Sequence, residues 1–470
     1  MSAAAEVLWE SWIDDTETPV SAFLKLRASA PDEPAFLLES AEHGRVGRYS
    51  FLGHRPRKTI RWSLGEPGDP YEIAKREIAA AAPKQPPEPD PSLPPFTGGA
   101  VGMFAYDLVR TLEPTLGPPN PDPLQTPDLA LMLTDTLVVF DHLQHRIMVI
   151  ANQYADEPEG AAQQKIAQVE ATLQGALPRR GRSHRPAPTP PTFTANVTRA
   201  EFEANVAAII DYIRAGDAYQ VVPSQRWTAE SDLNPFSIYR GLRAVNPSPY
   251  MYYLDFGDFQ VAGASPEPLV TVKGRRVTTT PIAGTRPRGA SAEEDARLAE
   301  ELLADPKERA EHVMLVDMGR NDIGRVSEYA SIKVDDFMVV ENYSHVMHIV
   351  SNVSGTLSSG VSALDALRAV NPVGTLSGAP KVRAMEIIDE LETVKRGGYG
   401  GAIGWVAYSG DLDTCVHIRT AVIKDGRIHI QAGGGTVADA LPANEYVESV
   451  NKSMALRAAI ELAVGQEDWE

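Results

Sequence analysis

Cysteine is nearly missing from this chain of 470 residues; Cys415 is the single one. One thiol cannot form an intramolecular disulfide, so no framework of bridges holds the fold, and the composition suits a reducing compartment. Positive charge is also short: 44 Lys and Arg stand against 63 Asp and Glu, for a formal net charge of −19. Nucleic acid demands a basic surface, so it is excluded as a partner; a small anion needs only a few local cations and is not. No uninterrupted apolar run is long enough to cross a bilayer. Met1-Ser2-Ala3-Ala4-Ala5-Glu6 lacks the basic-then-apolar pattern of a secretory signal. A cytoplasmic protein with no membrane partner is expected. No glycine-rich run is followed by Gly-Lys-Ser/Thr, which argues against phosphate-loop nucleotide binding. No repeat of fixed period is present.

What is there begins with length enough for a large core, in two domains or one with an appendage. Pro83 to Pro95 holds seven prolines and reads as an extended surface loop. Residues 179–195 lie in a second proline-rich, basic stretch that reads as a linker. The expected division is an α/β domain over 1–178, the linker over 179–195 and a second domain over 196–470. Strands are expected at 34–40 and 48–53, and a further pair at 131–140 and 146–151. Thr198-Arg199-Ala200-Glu201 is a capping box that opens a helix with Phe202, Val206, Ile209, Ile210 and Ile213 on its apolar face and Gly216 at its end. Hairpins are expected at 250–262, 269–280 and 414–431, turning at Gly257-Asp258, Lys273-Gly274 and Asp425-Gly426. Asp305-Pro306 is an N-cap with proline at the first helical position. The pattern predicts an α+β fold, antiparallel sheets packed with helices.

Two pairs of glutamates, Glu308 with Glu311 and Glu445 with Glu448, are spaced i,i+3 on predicted helices, so each pair shares a face. Brought together, the faces would give an oxygen-only site for a hard cation such as Mg²⁺. Solvated helix faces show the same spacing, and Glu448 can pair with Lys452 at i,i+4. The run 281–289 offers a turn at Gly284, a hydroxyl and two guanidiniums. Gly397 to Gly401 and Gly433 to Gly435 are turns whose N–H groups can approach an anion. His345 and His348 fall on opposite faces of a predicted strand, which makes them a poor metal pair but leaves either able to transfer a proton. Arg419 stands on an apolar strand, where an arginine usually holds a carboxylate.

Together and in order, these runs resemble the chorismate-utilising enzymes, most closely the large subunits of anthranilate synthases. The matching runs include 215–225, Ser265-Pro266-Glu267, 281–289, 308–322, 345–351, 374–381, 397–404, 417–421 and 433–452. The resemblance covers nearly the whole chain and is strongest from about residue 196. It implies the fold of anthranilate synthase component I, with an N-terminal regulatory portion and a chorismate-binding domain. It implies Mg²⁺ between the two glutamate pairs, with Glu311 and Glu448 as principal ligands, Glu308 and Glu445 assisting, and the ring carboxylate of chorismate bridging to the metal. Arg419, Tyr399, Lys452 and the backbone of Gly433, Gly434 and Gly435 match residues that hold substrate carboxylates, and Ala283, Gly284 and Thr285 line the same site. Glu267 matches the acid that assists loss of the ring hydroxyl. His348, with Thr375 nearby, matches the histidine of the later proton transfer.

Two positions narrow the resemblance. Water-using relatives carry a lysine where Gln220 stands, and the aminodeoxychorismate synthase large subunit carries one where Ala283 stands. Ammonia as nucleophile, with anthranilate and pyruvate as products, is therefore implied. Aminodeoxychorismate synthase and a catalytically silent tryptophan sensor are the alternatives. Glu39 and Ser40 resemble one wall of a tryptophan feedback site, and Asn246, Pro249, Tyr250 and Met251 the other. A glutaminase needs a cysteine in an exposed elbow, whereas Cys415 lies in a predicted apolar strand. A separate glutamine amidotransferase subunit is therefore expected to supply ammonia, in a heterotetramer of two large and two small subunits.

Overall fold

The computed structural model describes residues 7–41, 46–82, 92–154, 156–178, 189–342 and 346–466. Residues 83–91 of the proline-rich loop, 179–188 of the linker and His345 lie outside the described residues.

Side-chain alternation along the strands generates the architecture. Leu37, Val138, Met251 and Tyr253 share one face of a sheet; they pack on Phe23 and Leu26 of helix Pro19–Ser29, Ile166 of helix Ala161–Gln174, Leu242 of helix Pro235–Val245 and Leu456 of helix Pro442–Val464. Their strand neighbours Phe36, Val139, Tyr252 and Leu254 point the other way, onto Val101, Met103, Met132, Ile403 and Trp405 of a second sheet. The alternate residues of that sheet, among them Ala100, Leu131 and Val406, turn outward onto Tyr71 of helix Pro70–Ala81, Val316 and Ile323 of helix Pro306–Gly324, and Leu367 of helix Ala363–Val370. The result is helices, sheet, sheet, helices, the expected α+β class. Among the described residues no helix is long and apolar enough to cross a membrane.

Among the described residues the first sheet has eleven strands and the second ten. Both are built across the linker. Ala35–Glu39 pairs antiparallel with Tyr250–Asp255 in the first sheet, and Gly99–Phe104 with Ala402–Ala407 in the second. The division at 179–195 is one of sequence; the sheets interleave the two parts.

The hairpins at Gly257-Asp258 and Lys273-Gly274 form in register as expected. Two other runs need correcting. The apolar stretch at 131–140 is two strands, Leu129–Leu133 in the second sheet and Thr136–Asp141 in the first. Likewise 414–423 divides into Leu412–Val416 in the second sheet and Thr420–Lys424 in the first. A buried run reads the same whether its strand continues or crosses the sandwich, because both halves are apolar. At the second crossing Arg419 adopts φ +51°, the left-handed region. Arg419 therefore does not lie on a strand but at the bend between two.

Candidate active site

The two glutamate pairs sit near the starts of their helices, Glu308 and Glu445 in the first turn and Glu311 and Glu448 in the second. Asp305 caps helix Pro306–Gly324 by accepting from the N–H groups of Lys307 and Glu308, which fixes the start that carries Glu308 and Glu311. Glu445 and Glu448 open helix Pro442–Val464. Glycines make the room between these helix starts. A Cβ on Gly434 would lie 3.0 Å from Glu448 Oε1 and 3.2 Å from Glu445 Oε2, and one on Gly435 only 2.6 Å from Gln220 Nε2. Gln220 Nε2 in turn donates to Glu311 Oε1 at 3.0 Å. Glu311 is the link between the pairs: burial raises its pKa, and the charges of Glu308 on its own helix and Glu448 on the other raise it further. Burial and the neighbouring charge of Glu448 push Glu445 up to about 7.

Part of this negative charge is answered by the protein. Lys452 Nζ lies 2.7 Å from Glu448 Oε1, and Arg286 Nη1 3.1 Å from Glu308 Oε1. Glu445 Oε2 is buried with no hydrogen-bond partner. Among the described residues no three acidic or imidazole side chains converge tightly enough to chelate a cation as they stand. The donors are carboxylate oxygens, the type a hard divalent cation takes, and the orphaned Glu445 oxygen is an acceptor that such a cation would satisfy.

Beside the glutamates, Arg419, Asn444, Val447, Glu448, Asn451 and Lys452 line an open cleft of about 390 Å³. Arg419 Nη1 donates to the Lys452 carbonyl at 3.1 Å, and Lys452 Nζ to the Gly433 carbonyl at 3.0 Å. A left-handed arginine costs ~1–3 kcal/mol, so its conformation is held by its surroundings. Tyr399 reaches the same place from the glycine turn, where Gly400 N–H donates to the His417 carbonyl at 3.0 Å and His417 N–H to the Gly401 carbonyl at 2.8 Å. Its buried phenol feels the charges of both Arg419 and Glu267. Asn444 and Asn451 are not among the residues expected from sequence. Their spacing from Glu448, i−4 and i+3 on one helix face, is the signal that marks them.

Glu267 is buried, and Thr375 Oγ1 donates to its Oε1 at 2.6 Å. Burial raises its pKa to about 7 against the opposing pull of Thr375 and Lys452. A carboxyl half-protonated at neutral pH is poised to donate a proton. Thr375, expected near His348, donates to Glu267, and Thr285 stands beside the histidine. His348 Nδ1 stands 3.0 Å from the Gly284 carbonyl and 3.1 Å from Thr285 Oγ1. The carbonyl accepts, so Nδ1 carries the proton and Nε2 is the basic nitrogen. Burial lowers the His348 pKa, and the charge of Arg419 lowers it further. A break in strand register between Ala283 and Thr285, with Gly284 at φ +64°, turns Thr285 onto the histidine. Ala283 pairs with Ile349 and presents only a methyl group.

The remaining sequence-derived residues lie elsewhere. Glu39 is the register partner of Met251, and Ala41 N–H donates to the Ser248 carbonyl at 3.0 Å, so Ser40 and the run Asn246, Pro249, Tyr250 adjoin at one end of the first sheet. Glu39 accepts from Tyr239 and is 2.8 Å from Arg243 Nε. Cys415 is buried on strand Leu412–Val416, and burial pushes its thiol pKa well up.

Residues 33–458 match the family model described as chorismate binding enzyme. The chain is 50% identical to anthranilate synthase component 1 of Pseudomonas aeruginosa, over 96% of this chain and 94% of that one. A crystal structure of anthranilate synthase component I from Streptococcus pneumoniae superposes with a TM-score of 0.79 at 41% identity, covering 88% of this chain and 93% of that chain. The menaquinone-specific isochorismate synthase of Escherichia coli superposes with a TM-score of 0.72, covering 97% and 95%, but at 18% identity it shares the fold alone.

Proposed function

The chain belongs to the chorismate-binding enzymes, and from that membership we propose that it is the large subunit of an anthranilate synthase, converting chorismate and ammonia to anthranilate and pyruvate. The observation that carries the reading is 50% identity to a named component 1 over 96% of this chain, in a structure with a buried Glu267, a cleft lined by Arg419 and Lys452, and two glutamate pairs beside it.

Arg419, Lys452, Tyr399 and the Gly433–Gly435 backbone would hold the substrate's carboxylates. Glu311 and Glu448, assisted by Glu308 and Glu445, would hold Mg²⁺. When bound, the cation neutralises the ring carboxylate and orients the ring. Glu267 protonates the departing ring hydroxyl, and His348 Nε2 takes the proton whose loss makes the ring aromatic. Gln220 is engaged with Glu311 and has no basic group, which disfavours water as the nucleophile. Ala283 offers no nucleophile for a covalent adduct, which disfavours aminodeoxychorismate synthesis.

A buried Cys415 supports a separate amidotransferase subunit as the ammonia source. The isolated chain with Mg²⁺ and an ammonium salt should turn chorismate into fluorescent anthranilate, and should do nothing with glutamine. Aminodeoxychorismate or isochorismate as the product would replace the assignment, and glutamine-driven turnover would remove the need for the partner. Sedimentation with that partner tests the two-plus-two assembly; a one-to-one complex at saturation would exclude it. Glu39, Ser40, Asn246, Pro249, Tyr250 and Met251 would form the tryptophan feedback site, which inhibits only if tryptophan prefers an inactive arrangement. Equilibrium dialysis checks this, and absence of tryptophan binding would discard the site.

A further inference from the structure

Arg419 sits where the chain leaves Leu412–Val416 of the second sheet for Thr420–Lys424 of the first, in a backbone conformation its own Cβ disfavours. Two contacts hold the neighbouring peptides. The Arg419 carbonyl accepts from Ala264 N–H at 3.1 Å. The Ile418 carbonyl accepts from Thr420 Oγ1 at 2.7 Å. Thr420 has a single hydroxyl proton, and that bond uses it. Tyr252, whose phenolic oxygen is 2.6 Å from Thr420 Oγ1, is therefore the donor to it. Both side chains are buried.

The reach of Tyr252 depends on an unusual row. Tyr252, Gly263 and Thr420 are register partners on three neighbouring strands. A tyrosine on the first strand can touch the third only if the middle residue has no side chain. A Cβ on Gly263 would lie 2.3 Å from Tyr252 Cε2 and 2.6 Å from Thr420 Oγ1.

We propose that Tyr252, Gly263 and Thr420 form a positioning relay that sets the Ile418–Arg419 peptide and thereby aims the Arg419 guanidinium. The relay rests on the reading of Arg419 as the holder of a substrate carboxylate. None of its three residues lines the cleft. Tyr252 follows Tyr250 and Met251, residues of the proposed feedback site, on one strand.

The test is steady-state kinetics on the full chain with chorismate, Mg²⁺ and ammonium. Thr420→Val keeps the shape and removes the hydroxyl; it should raise KM for chorismate about tenfold and leave kcat within about twofold, the pattern of lost uniform binding. Thr420→Ser should restore KM. Tyr252→Phe should shift KM in the same direction by less, because Thr420 keeps its bond to Ile418. An unchanged KM in Thr420→Val overturns the relay. Equal loss of kcat and melting temperature in Thr420→Val and Thr420→Ser also overturns it, since that is a packing defect. Arg419→Ala separates the two levels. If it leaves KM unchanged, the reading of the site fails; if it raises KM while Thr420→Val does not, only the relay fails.

Discussion

Glu267→Gln is expected to lower kcat by ~10²–10⁴-fold, the usual contribution of a positioned general acid, with KM for chorismate within a few-fold. The amide is nearly isosteric and still accepts from Thr375, so the site keeps its shape and loses only the proton. The pH profile carries the sharper signature. With free ammonia held constant, wild-type kcat/KM for chorismate should fall as pH rises through about 7, where Glu267 of the free chain loses its proton, and that limb should vanish in the variant. Stability should fall in the same direction. The folded-state pKa is raised from 4.5 to about 7, so the carboxyl's contribution is full below 4.5 and is lost as pH rises through 7. A tenfold change in proton affinity is ~1.4 kcal/mol, so the ionised carboxylate costs the fold ~3 kcal/mol at pH 8. Glu267→Gln should therefore melt higher than wild type at pH 8 and not at pH 4. A variant that keeps its kcat excludes Glu267 as the acid.

Glu448→Ala is expected to reduce Mg²⁺-dependent turnover by at least ~10²-fold, more than the loss typical of an outer-shell change at a metal site. The fold should survive. The one ion pair lost is with Lys452, on an exposed i,i+4 helix surface, and such pairs contribute only ~0.3–0.5 kcal/mol. Removing Glu448 also removes a charge that raises Glu445, so the Glu445 pKa should fall toward its ordinary value. Glu308→Ala should be milder, because Arg286 already answers the Glu308 charge. Circular dichroism and a Mg²⁺ titration of activity check the set. Unchanged Mg²⁺ dependence in Glu448→Ala would falsify the metal role.

The sequence is most informative where one element carries the whole signal. The Thr198 capping box, with Gly216 at φ +90° ending its helix, and the Asp305 N-cap can be read because cap, face and stop are local. Glu311 and Glu448 are legible as members of helix-face pairs, but not as charges that feel each other, since that depends on where the fold places two helices distant in sequence. The bond from Thr375 to Glu267 is not legible, because hydrogen-bond partners follow from tertiary placement rather than chain order. Arg419 reads as a strand residue because an apolar run hides a crossing between sheets. The Tyr252–Gly263–Thr420 row is invisible for a related reason: strand register across three separate segments cannot be inferred from any one of them.

In the proposed mechanism the two glutamate pairs act as one site through which chorismate is held. Isothermal titration of chorismate into the turnover-poor Glu267→Gln chain tests it most directly. Binding at least about tenfold tighter with Mg²⁺ than without is predicted. Proton release is also predicted when Mg²⁺ and chorismate bind near pH 7, because Glu445, raised to about 7 by burial and its neighbours, must ionise to face a cation. Equal affinity with and without Mg²⁺, and no proton release, would contradict the claim.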